Sequence, residues 1–547
     1  MSVASVLRSL AVCVCMGAIA ASPAFARQEQ TPHAAHPAPA ADAPGELPKY
    51  VAEPIELLSK ALGPFSRPIS SPSKEAQAFF DQGMQMMFAF ARLDAVRSFR
   101  ESWKRDPECA ICYWGEGWAW GSYLNGPMLP EQSPFAYAAA QKAMSLRHKA
   151  TPVERDFIEA LSVRYVKNFD PKTPREQDEA YAEAMRKLAE KYPNDLDAVT
   201  LYADALFLLE PRRGRRDIDA PNVKRLHAVL ESVLDRDPKH PGACHLYVHA
   251  TESTVRPDKA EACAEFLGRS IPGASHIQHM PSHTWNEVGR WGDSVRANLE
   301  AWHSDLKADH GEGFAIYPDH NLHMLLYAAA MDGQGAIATQ AGKDYAKRTS
   351  DTMYQVLTLI RFGRFDEVLE VTKRPERDVP AALYDFSVGY AHLRQGAADF
   401  AKLYLERVKK TAATSKGTFR MHSAEQLLGV VIGILEGEIL REEKDLDGAI
   451  AAFERAVAFD DGLDYDEPEP LPFPARHWLG AALLEAKRPA DAERVYREDL
   501  KQHPHNGWSL FGLKQALAAQ GKTDAAVDED WAKSWSRADT WIRASRF

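Results

Sequence analysis

The chain has 547 residues, more than one compact core normally covers, so several globular domains or an extended array of repeats is expected. Acidic residues outnumber Lys and Arg by 77 to 66, and the resulting formal net charge of -11 argues against nucleic acid as a partner. Hydrophobic residues make up 45% of the chain and charged residues 26%, with Ala, Leu, Arg and Glu prominent, which favours helix over sheet.

The first 26 residues have the form of a cleaved secretory signal. They carry a single charge, Arg8, then the apolar run 10–21 and the small-x-small ending Ala24-Phe25-Ala26. This run is too short to span a bilayer, and no other stretch is apolar enough to do so. Residues 27–48 are rich in Pro and Ala without apolar periodicity, which predicts a disordered linker. We therefore expect an exported chain, periplasmic or secreted, with no membrane span.

From Phe79 onward the sequence repeats one pattern at intervals of about 34 residues. Gly83, Ala95, Phe99 and Pro107 define it, and it recurs in GRWGDSVRANLEAW, KDLDGAIAAFERAVAFD and KRPADAERVYREDLKQHP. The pattern resembles the tetratricopeptide repeat, with small residues where two helices cross, an aromatic that fills the joint and a proline that ends the second helix. This resemblance implies an all-α fold, an α-solenoid of stacked helix-turn-helix repeats that is superhelical and has a concave groove.

We expect residues 49–547 to form this solenoid, with roughly ten or eleven repeats. The pattern is weakest at 127–175 and 345–376, and the acidic, proline-rich segment 464–474 interrupts it, which predicts a loop on the surface or across the groove. Clear repeats begin near Phe79, Ala110, Leu196, Pro241, Ser275, Asp319, Ala381, Gln426, Phe473 and Gly507.

Ten of the nineteen histidines lie between His240 and His323. Within each cluster they are spaced by three or four residues, which places them on one stripe of a helix. In the repeat family that stripe lines the concave groove, so three consecutive repeats are expected to direct their imidazoles into the same hollow. Seven of the histidines form these clusters: His245, His249, His276, His279, His283, His320 and His323.

Imidazoles on adjacent helices can share one metal ion, because neighbouring helices pack about 8–10 Å apart and a metal lies about 2.0–2.1 Å from each nitrogen. Seven imidazoles suffice for one or two ions, and imidazole-rich sites suit zinc, copper, iron or nickel. Glu252, one turn beyond His249, is the candidate general base. The zinc-protease pattern HExxH is absent, since Leu246 follows His245.

Three interpretations of this cluster remain open. The first is a metalloenzyme, a metal-dependent oxidoreductase or hydrolase acting on a small molecule or peptide in the groove. The second is an envelope scaffold whose groove binds a peptide or protein partner without metal. The third is a metal-handling protein without turnover. Structural packing is the simplest explanation for any single histidine, but three clusters in register make coincidence improbable.

Pro281 lies inside the middle cluster and removes a backbone donor there. It either kinks a helix that carries all three histidines or lies in the first turn of a helix, with His276 and His279 on the loop before it.

Further candidates face the groove or the core. Asp204 is a carboxylate of an earlier repeat, and the pair Asp466 and Glu467 is favoured as a solvated loop. Trp114 and Trp118 form either an apolar wall for a ligand or inter-repeat packing.

Six cysteines are present, and Cys13 and Cys15 fall within the signal segment. Cys109 and Cys112, one helical turn apart, are two packing residues or one local disulfide, since an oxidising compartment permits disulfides. Whether Cys244 pairs with Cys263 stays open. Cys244 adjoins His245 but points elsewhere on the helix, so it is not counted as a ligand.

The chain also resembles a group of large exported bacterial tetratricopeptide proteins with an HxxHMPxH motif and an HNLH-like segment. Similarity extends to YDEP at 465–468 and NGWSLFGL at 506–513. The resemblance implies the fold and the location of the site, and it implies no activity. The matching residues are His276, His279, Met280, Pro281 and His283, then Pro318, His320, Asn321, Leu322 and His323.

Overall fold

The computed structural model describes residues 46–211 and 214–547. The predicted signal segment and most of the predicted linker lie outside the described residues. The first half contains α1 (Lys49–Ala52), α2 (Lys74–Phe88), α3 (Arg92–Arg105), α4 (Ala110–Trp120), α5 (Ser133–Leu146), α6 (Pro152–Ser162), α7 (Arg175–Lys191), α8 (Leu196–Phe207), α9 (Pro221–Leu234), α10 (Pro241–Thr251), α11 (Glu261–Leu267), α12 (Ser275–His279) and α13 (Pro281–Glu287).

The second half continues the same pattern of short connected helices. A two-residue pair of strands, β1 (Thr418–Phe419) and β2 (His422–Ser423), is antiparallel. The helices are α14 (Trp291–Ala308), α15 (Pro318–Met331), α16 (Gly335–Thr349), α17 (Met353–Arg361), α18 (Phe365–Glu370), α19 (Asp378–Arg394), α20 (Ala398–Thr414), α21 (Ala424–Glu442), α22 (Leu446–Asp461), α23 (Arg476–Glu485), α24 (Pro489–Gln502), α25 (Gly507–Ala518) and α26 (Ala525–Ser534).

Helices adjacent in sequence pack together as hairpins, and each hairpin packs on the next, which confirms the predicted all-α solenoid. The stretches in which the repeat pattern is weakest contain helices as well, among them α6 and α17. Residues 464–474 form neither helix nor strand, in agreement with their acidic, proline-rich composition. Among the described residues, no helix combines the length and the apolar character that crossing a bilayer requires.

Phe99 shows how the repeat pattern produces the hairpin. Its ring occupies the crossing of α2, α3 and α4, where a Cβ on Gly83 would lie 2.6 Å from the ring and one on Gly115 would lie 2.3 Å from it. Tyr496 fills the corresponding space against Gly480 and Gly512, at 2.4 and 2.2 Å. Only glycine permits this approach, because a methyl group at either position would overlap the aromatic ring.

Two hydrophobic cores divide the array. The first extends from Val51 to Tyr317, and the second extends from Val295 to Val527. Helices α10 and α12 pack into the first core, whereas Leu322 of α15 belongs to the second. The histidine-bearing helices therefore meet at the seam between the cores.

Both ends of the described chain fold back onto the array. Near the N-terminus, Arg67 forms ion pairs with Asp195 and Asp197 at 2.8 and 2.6 Å. Near the C-terminus, Arg537 binds Asp332 at 2.6 Å, so residues distant in sequence tie the last helices to the middle of the array. These contacts tie both ends of the described chain to the array.

Candidate functional site

Four helices supply the seven histidines predicted from the sequence. His245 and His249 lie on α10, His276 and His279 on α12, His283 on α13, and His320 and His323 on α15. Met280 separates α12 from α13, and Pro281 is the first residue of α13, where a missing backbone N–H costs nothing. This matches the second alternative for Pro281, except that His276 and His279 are on a short helix and not on a loop.

Six of the seven histidines form two groups of three. In each group one nitrogen from every residue lies within 4.8 Å of the others, and all six side chains are buried. The rings of His249 and His283 are 5.4 Å apart, as are those of His276 and His279, so the two groups are adjacent. We name them the first triad (His245, His249 and His276) and the second triad (His279, His283 and His320).

Glu252 joins the triads. It caps the C-terminus of α10 and is 1% exposed. His249 Nδ1 donates to its Oε1 at 2.6 Å, and His283 Nδ1 donates to its Oε2 at 2.5 Å. A carboxylate that accepts a hydrogen bond from Nδ1 fixes the orientation of the ring and leaves the Nε2 lone pair available to a metal. Such a carboxylate is the usual outer partner of a histidine ligand.

Two further imidazoles are held in the same tautomer. His245 Nδ1 donates to the carbonyl of Phe88 at 2.5 Å, and His279 Nδ1 donates to Asn298 Oδ1 at 2.9 Å. The amide of Asn298 donates to the Ser294 carbonyl at 2.8 Å, so its oxygen is the atom that faces His279. A neutral imidazole with a protonated Nδ1 has a lone pair on Nε2.

The Nε2 atoms of His279 and His283 consequently face each other, 2.7 Å apart. In the neutral rings both nitrogens are acceptors, because both Nδ1 atoms are donors to oxygen. Two lone pairs at this distance repel each other unless a positively charged atom lies between them or beside them. A proton on one of the two nitrogens, or a metal ion bound by both, removes that repulsion.

Burial keeps His245 and His276 of the first triad uncharged. It lowers the pKa of His245 well below its usual value, and the neighbouring His249 adds to this shift. The pKa of His276 is lowered in the same way, by burial first and then by His245 and His279. Among the described residues, His245 Nε2 and both nitrogens of His276 have no hydrogen-bond partner. Neutral, unsatisfied imidazole nitrogens are the form that binds metal.

His283 differs from these two histidines. Burial alone would lower its pKa, but the negative charge of Glu252 and the hydrogen bond to it outweigh burial, and the net effect raises the pKa. Glu467 of the acidic loop raises the pKa of His283 further, and its Oε2 is 3.5 Å from His283 Nδ1. His249, Glu252, His283 and Glu467 thus form a third group with closely spaced donor atoms.

Two aromatic residues that have an uncommon backbone conformation enclose the first triad. Phe90 has φ 58° and Tyr317 has φ 56°, both in the left-handed region. The Phe90 ring centroid is 4.2 Å from that of His245, and the Tyr317 ring is 5.0 Å from that of His276. Bulky residues adopt this conformation at a cost, and such strain is concentrated at functional sites. Neither residue is predictable from the sequence, because no local pattern marks a positive φ at an aromatic residue.

His323 lies outside both triads. Its Nδ1 accepts from Arg420 Nη1 at 2.7 Å, and its ring is 4.3 Å from that of Tyr354. Arg420 also donates to Asp466 Oδ1 at 2.5 Å, while the other oxygen of Asp466 is 3.2 Å from His422 Nε2. His323 therefore anchors the acidic loop beside the triads.

The structure corrects the interpretation of the acidic loop as a solvated segment. Asp466 is 7% exposed because Arg420 and His422 compensate its charge inside the protein. Glu467 extends to His283 of the second triad. Neither β1 nor β2, which bring Arg420 and His422 to this position, was predicted from the sequence.

A cavity of about 130 Å³ adjoins the second triad. His283 belongs to its lining, together with Asn286 and Glu287 of α13 and with residues of the acidic loop. The remaining wall comes from α14, α15 and the ends of α22 and α24, with Arg215 and His503. A small molecule in this cavity would lie directly against the second triad.

The other predicted candidates are located elsewhere. Asp204 is buried near Arg164, and burial raises its pKa to about 6, but it does not join any of the histidine groups in the described part of the chain. The rings of Trp114 and Trp118 stack at 5.5 Å within the first core, which corresponds to inter-repeat packing.

The cysteines form two disulfides. Cys109 pairs with Cys112, and Cys244 pairs with Cys263, with Cα atoms 5.4 and 5.0 Å apart. Cys244 is consequently not available as a ligand, although it adjoins His245. The second disulfide joins α10 to α11 and so holds the helix that carries two of the six triad histidines.

No model of a known protein family matches this chain, and no curated protein sequence is similar to it. Distant similarity to solved structures is found. A chain of the APC/C hetero-tetramer Cut9-Hcn1 is 14% identical over 84% of this chain and 79% of its own, with a TM-score of 0.28. The human IFIT1 dimer with m7Gppp-AAAA gives 12% identity over 86% and 96%, with a TM-score of 0.32.

The TPR domain of P58(IPK) is 12% identical to this chain over 82% of this chain and 98% of the domain, with a TM-score of 0.21. Similarity at this level carries no ligand or activity over to the present chain. The function must be inferred from the site itself.

Proposed function

We propose that this protein is a metalloprotein that binds two transition-metal ions, one in each histidine triad. The observation that carries the proposal is the 2.7 Å approach of His279 Nε2 to His283 Nε2, with both Nδ1 atoms committed to oxygen acceptors. A metal ion held by His279 and His283 would turn this repulsive pair into two bonds. Zinc, copper and iron are the candidate ions, because neutral imidazoles without thiolates suit all three.

A shared proton is the competing explanation for that pair. It would satisfy His279 and His283 but leave the first triad as it is, with His245 Nε2 and His276 buried and without hydrogen bonds in the described residues. Buried polar atoms without partners are costly, and a second ion would satisfy them together. Two triads with the same composition support two ions more strongly than one proton.

Three imidazoles for each ion favour a reactive centre over a structural one. Structural zinc sites close their shell with four protein ligands, whereas catalytic sites keep an open position for water or substrate. The cavity beside His283 gives that position access to small molecules. Metal-assisted hydrolysis or oxidation is the chemistry that such a centre supports.

The two carboxylates take different roles in this proposal. Both oxygens of Glu252 accept hydrogen bonds from imidazoles, so Glu252 orients His249 and His283 instead of moving protons. Glu467 lines both the cavity and the edge of the second triad. We therefore assign the role of general base, first considered for Glu252, to Glu467.

The enclosure of the site argues against a scaffold that uses these histidines to bind a peptide. Even the most exposed of the seven, His320, is only 8% exposed, so a partner protein on the surface would not contact them. Their surroundings are side chains of this chain, such as Phe90 and Glu252. Metal, water and small molecules are the ligands that a site of this size admits.

Elemental analysis of protein purified without a histidine tag tests the proposal. We expect about two metal ions per chain and about one after replacement of His279 and His283 by Ala, since only the second triad is then lost. The control is the same double replacement at the exposed His303 and His310, which should leave metal content unchanged. Absence of stoichiometric metal, or equal metal content in the His279/His283 variant and the wild type, would refute it.

Export to an oxidising compartment is part of the same proposal. It is supported by the signal-like segment at 1–26 and by the pairing of all four cysteines outside that segment as disulfides. Mass spectrometry of the protein from cell fractions tests it. The proposal predicts a periplasmic or secreted chain that lacks the first 26 residues and has no free thiol; a full-length cytoplasmic chain with reduced cysteines would contradict it.

A further inference from the structure

The cavity beside the second triad has an unusually acidic wall. Seven carboxyl side chains line it, against one arginine, Arg215, and two histidines, His283 and His503. Some of these acids are paired, as Asp466 is with Arg420 and Glu469 is with His503, at 2.5 and 3.0 Å. Glu287 is half-buried, and burial raises its pKa to about 8 against the opposing charge of Arg215. A bound cation would favour the ionised form of Glu287 and offset the repulsion between the neighbouring carboxylates.

Asn286 provides an independent indication of a ligand. It is only 7% exposed, it lines the same cavity, and its Oδ1 accepts no hydrogen bond from the described residues. Its Nδ2 is turned towards Met324 Sδ at 3.7 Å, so the oxygen is the polar atom left without a partner. A buried acceptor without a donor costs free energy unless a ligand supplies that donor. Asn286 thus requires a donor group, and Glu287 lines the same cavity.

Aromatic side chains complete the wall. Trp291 and Tyr327 are buried, and their ring centroids lie 6.1 Å apart at the edge of the cavity. The indole N–H of Trp291 is directed at the Pro504 carbonyl, 2.9 Å away, and is not available to a ligand. Aromatic faces beside carboxylates attract organic cations, whereas a bare metal ion needs oxygen ligands all around it.

We propose that this cavity binds the ammonium or guanidinium group of a small organic cation and presents the attached carbon chain to the second triad. This inference rests on the proposed metal centre and gives that centre a substrate class. The cavity volume is about 130 Å³. It accommodates a cationic end group with a short alkyl chain and excludes a folded protein segment.

The arrangement on α13 connects the two sites. His283, Asn286 and Glu287 lie within four residues of each other on one helix, and all three line the cavity. A cation held by Asn286 and Glu287 is consequently one helical turn from the metal ligand His283. Binding of the cation and chemistry at the metal would therefore act on neighbouring atoms of one small molecule.

Calorimetric titration of the full-length, metal-loaded protein tests the proposal with two probes of equal length, butylammonium and butan-1-ol. We expect butylammonium to bind about tenfold more tightly or better, because charge-assisted hydrogen bonds contribute more than neutral ones. Glu287→Gln should abolish this preference, and Asn286→Leu should reduce it. The matched control is Glu300→Gln on the exposed face of α14, which should bind as the wild type does.

Several outcomes would overturn the inference. The first is equal affinity of the wild type for the two probes. The second is an unchanged preference for butylammonium in a Glu287→Gln variant whose circular dichroism matches that of the wild type. The third is displacement of butylammonium by Mg²⁺ at equal concentration, which would indicate an inorganic cation site. Metal content is measured on the same samples. Loaded metal without a butylammonium preference refutes only the cation subsite, whereas a butylammonium preference without metal refutes only the metal centre.

Discussion

At the scale of single residues, Glu252 links the two halves of the site. Its position one turn after His249 is evident in the sequence, and that spacing first indicated a general base. The structure adds His283, 31 positions further along the chain, as a second donor to the same carboxylate. Sequence spacing reports only neighbours on the same helix, so this second contact was not predictable.

Replacement of Glu252 by Gln should weaken metal binding without unfolding the protein. The amide has nearly the same shape as the carboxylate. Its NH₂ group, however, would face an imidazole N–H in the place of a carboxylate oxygen that accepts a hydrogen bond from it. Loss of such an outer partner lowers metal affinity about ten- to hundredfold. Competition with a chromophoric chelator measures the affinity, and Glu300→Gln is the control. Wild-type affinity in Glu252→Gln would show that the carboxylate does not position the ligands.

A second network of buried titratable groups extends from the cavity into the protein. Glu469 contacts His503 at 3.0 Å, His503 contacts Asp499 at 3.1 Å, and Asp499 contacts His477 at 3.2 Å. Arg361 donates to the remaining nitrogen of His477 at 3.0 Å. Burial lowers the pKa of His477 to about 4, against the opposing effect of Asp499.

The stability contribution of His477 should depend on pH. Because its pKa is lower in the folded state, the unfolded chain binds the proton first, so stability is fully present above pH 6.5 and is lost as the pH falls from 6.5 towards about 4. The advantage of the wild type over His477→Gln should therefore shrink on acidification, by about 1.4 kcal/mol per pH unit. Urea unfolding at several pH values measures it, with His303→Gln as control. A constant difference would contradict the assignment.

At the scale of elements, the break between α12 and α13 arranges the second triad. His279 ends α12 and His283 lies in the first turn of α13, and the missing N–H of Pro281 separates the two helices. The sequence predicted that a proline would bend the chain here. It did not predict the direction of the bend, because that direction depends on α14 and α15, which pack against these helices.

Pro281→Ala tests whether the break serves metal binding. The restored backbone N–H allows one continuous helix, which would rotate His276 and His279 relative to His283. We expect the free energy of unfolding to change by about 1 kcal/mol or less and the metal content to fall. Thermal unfolding and elemental analysis of the same preparation measure both. Retention of wild-type metal content would show that the triads form without the break.

At the scale of the whole molecule, the site lies where the two hydrophobic cores meet. Helices α10 and α12 pack into the first core and α15 into the second, so a metal ion in the second triad would bond to residues from both sides of the seam. The strained Phe90 and Tyr317 also lie at this seam, next to the first triad. A metal ion would therefore act as a cross-link between two packing units.

Removal of metal should lower the melting temperature of the protein. A ligand that binds only the folded state, present at 100 times its Kd, adds about 2.7 kcal/mol of stability. Scanning calorimetry of loaded and chelator-treated protein measures the difference, and re-addition of metal should restore the original transition. An identical transition in both samples, with metal loading verified, would place the ions outside the seam.

The sequence by itself determined the helices, their pairing and the faces on which the histidines lie. These follow from local periodicity and from the spacing of Gly83 and Phe99, because a helix position depends on residues a few places away. Three stripes of imidazoles were thus predictable as stripes. Their approach to one another was expected from the repeat resemblance alone.

Only the tertiary structure decided which imidazoles meet. It groups six of them into two triads, moves His323 to Arg420, and brings Glu467 from a loop that composition had indicated to be solvated. The physical reason is that solenoid curvature accumulates from small rotations at every repeat, and local spacing does not encode that sum. Burial of the site and the acidic cavity beside it arise from the same long-range packing.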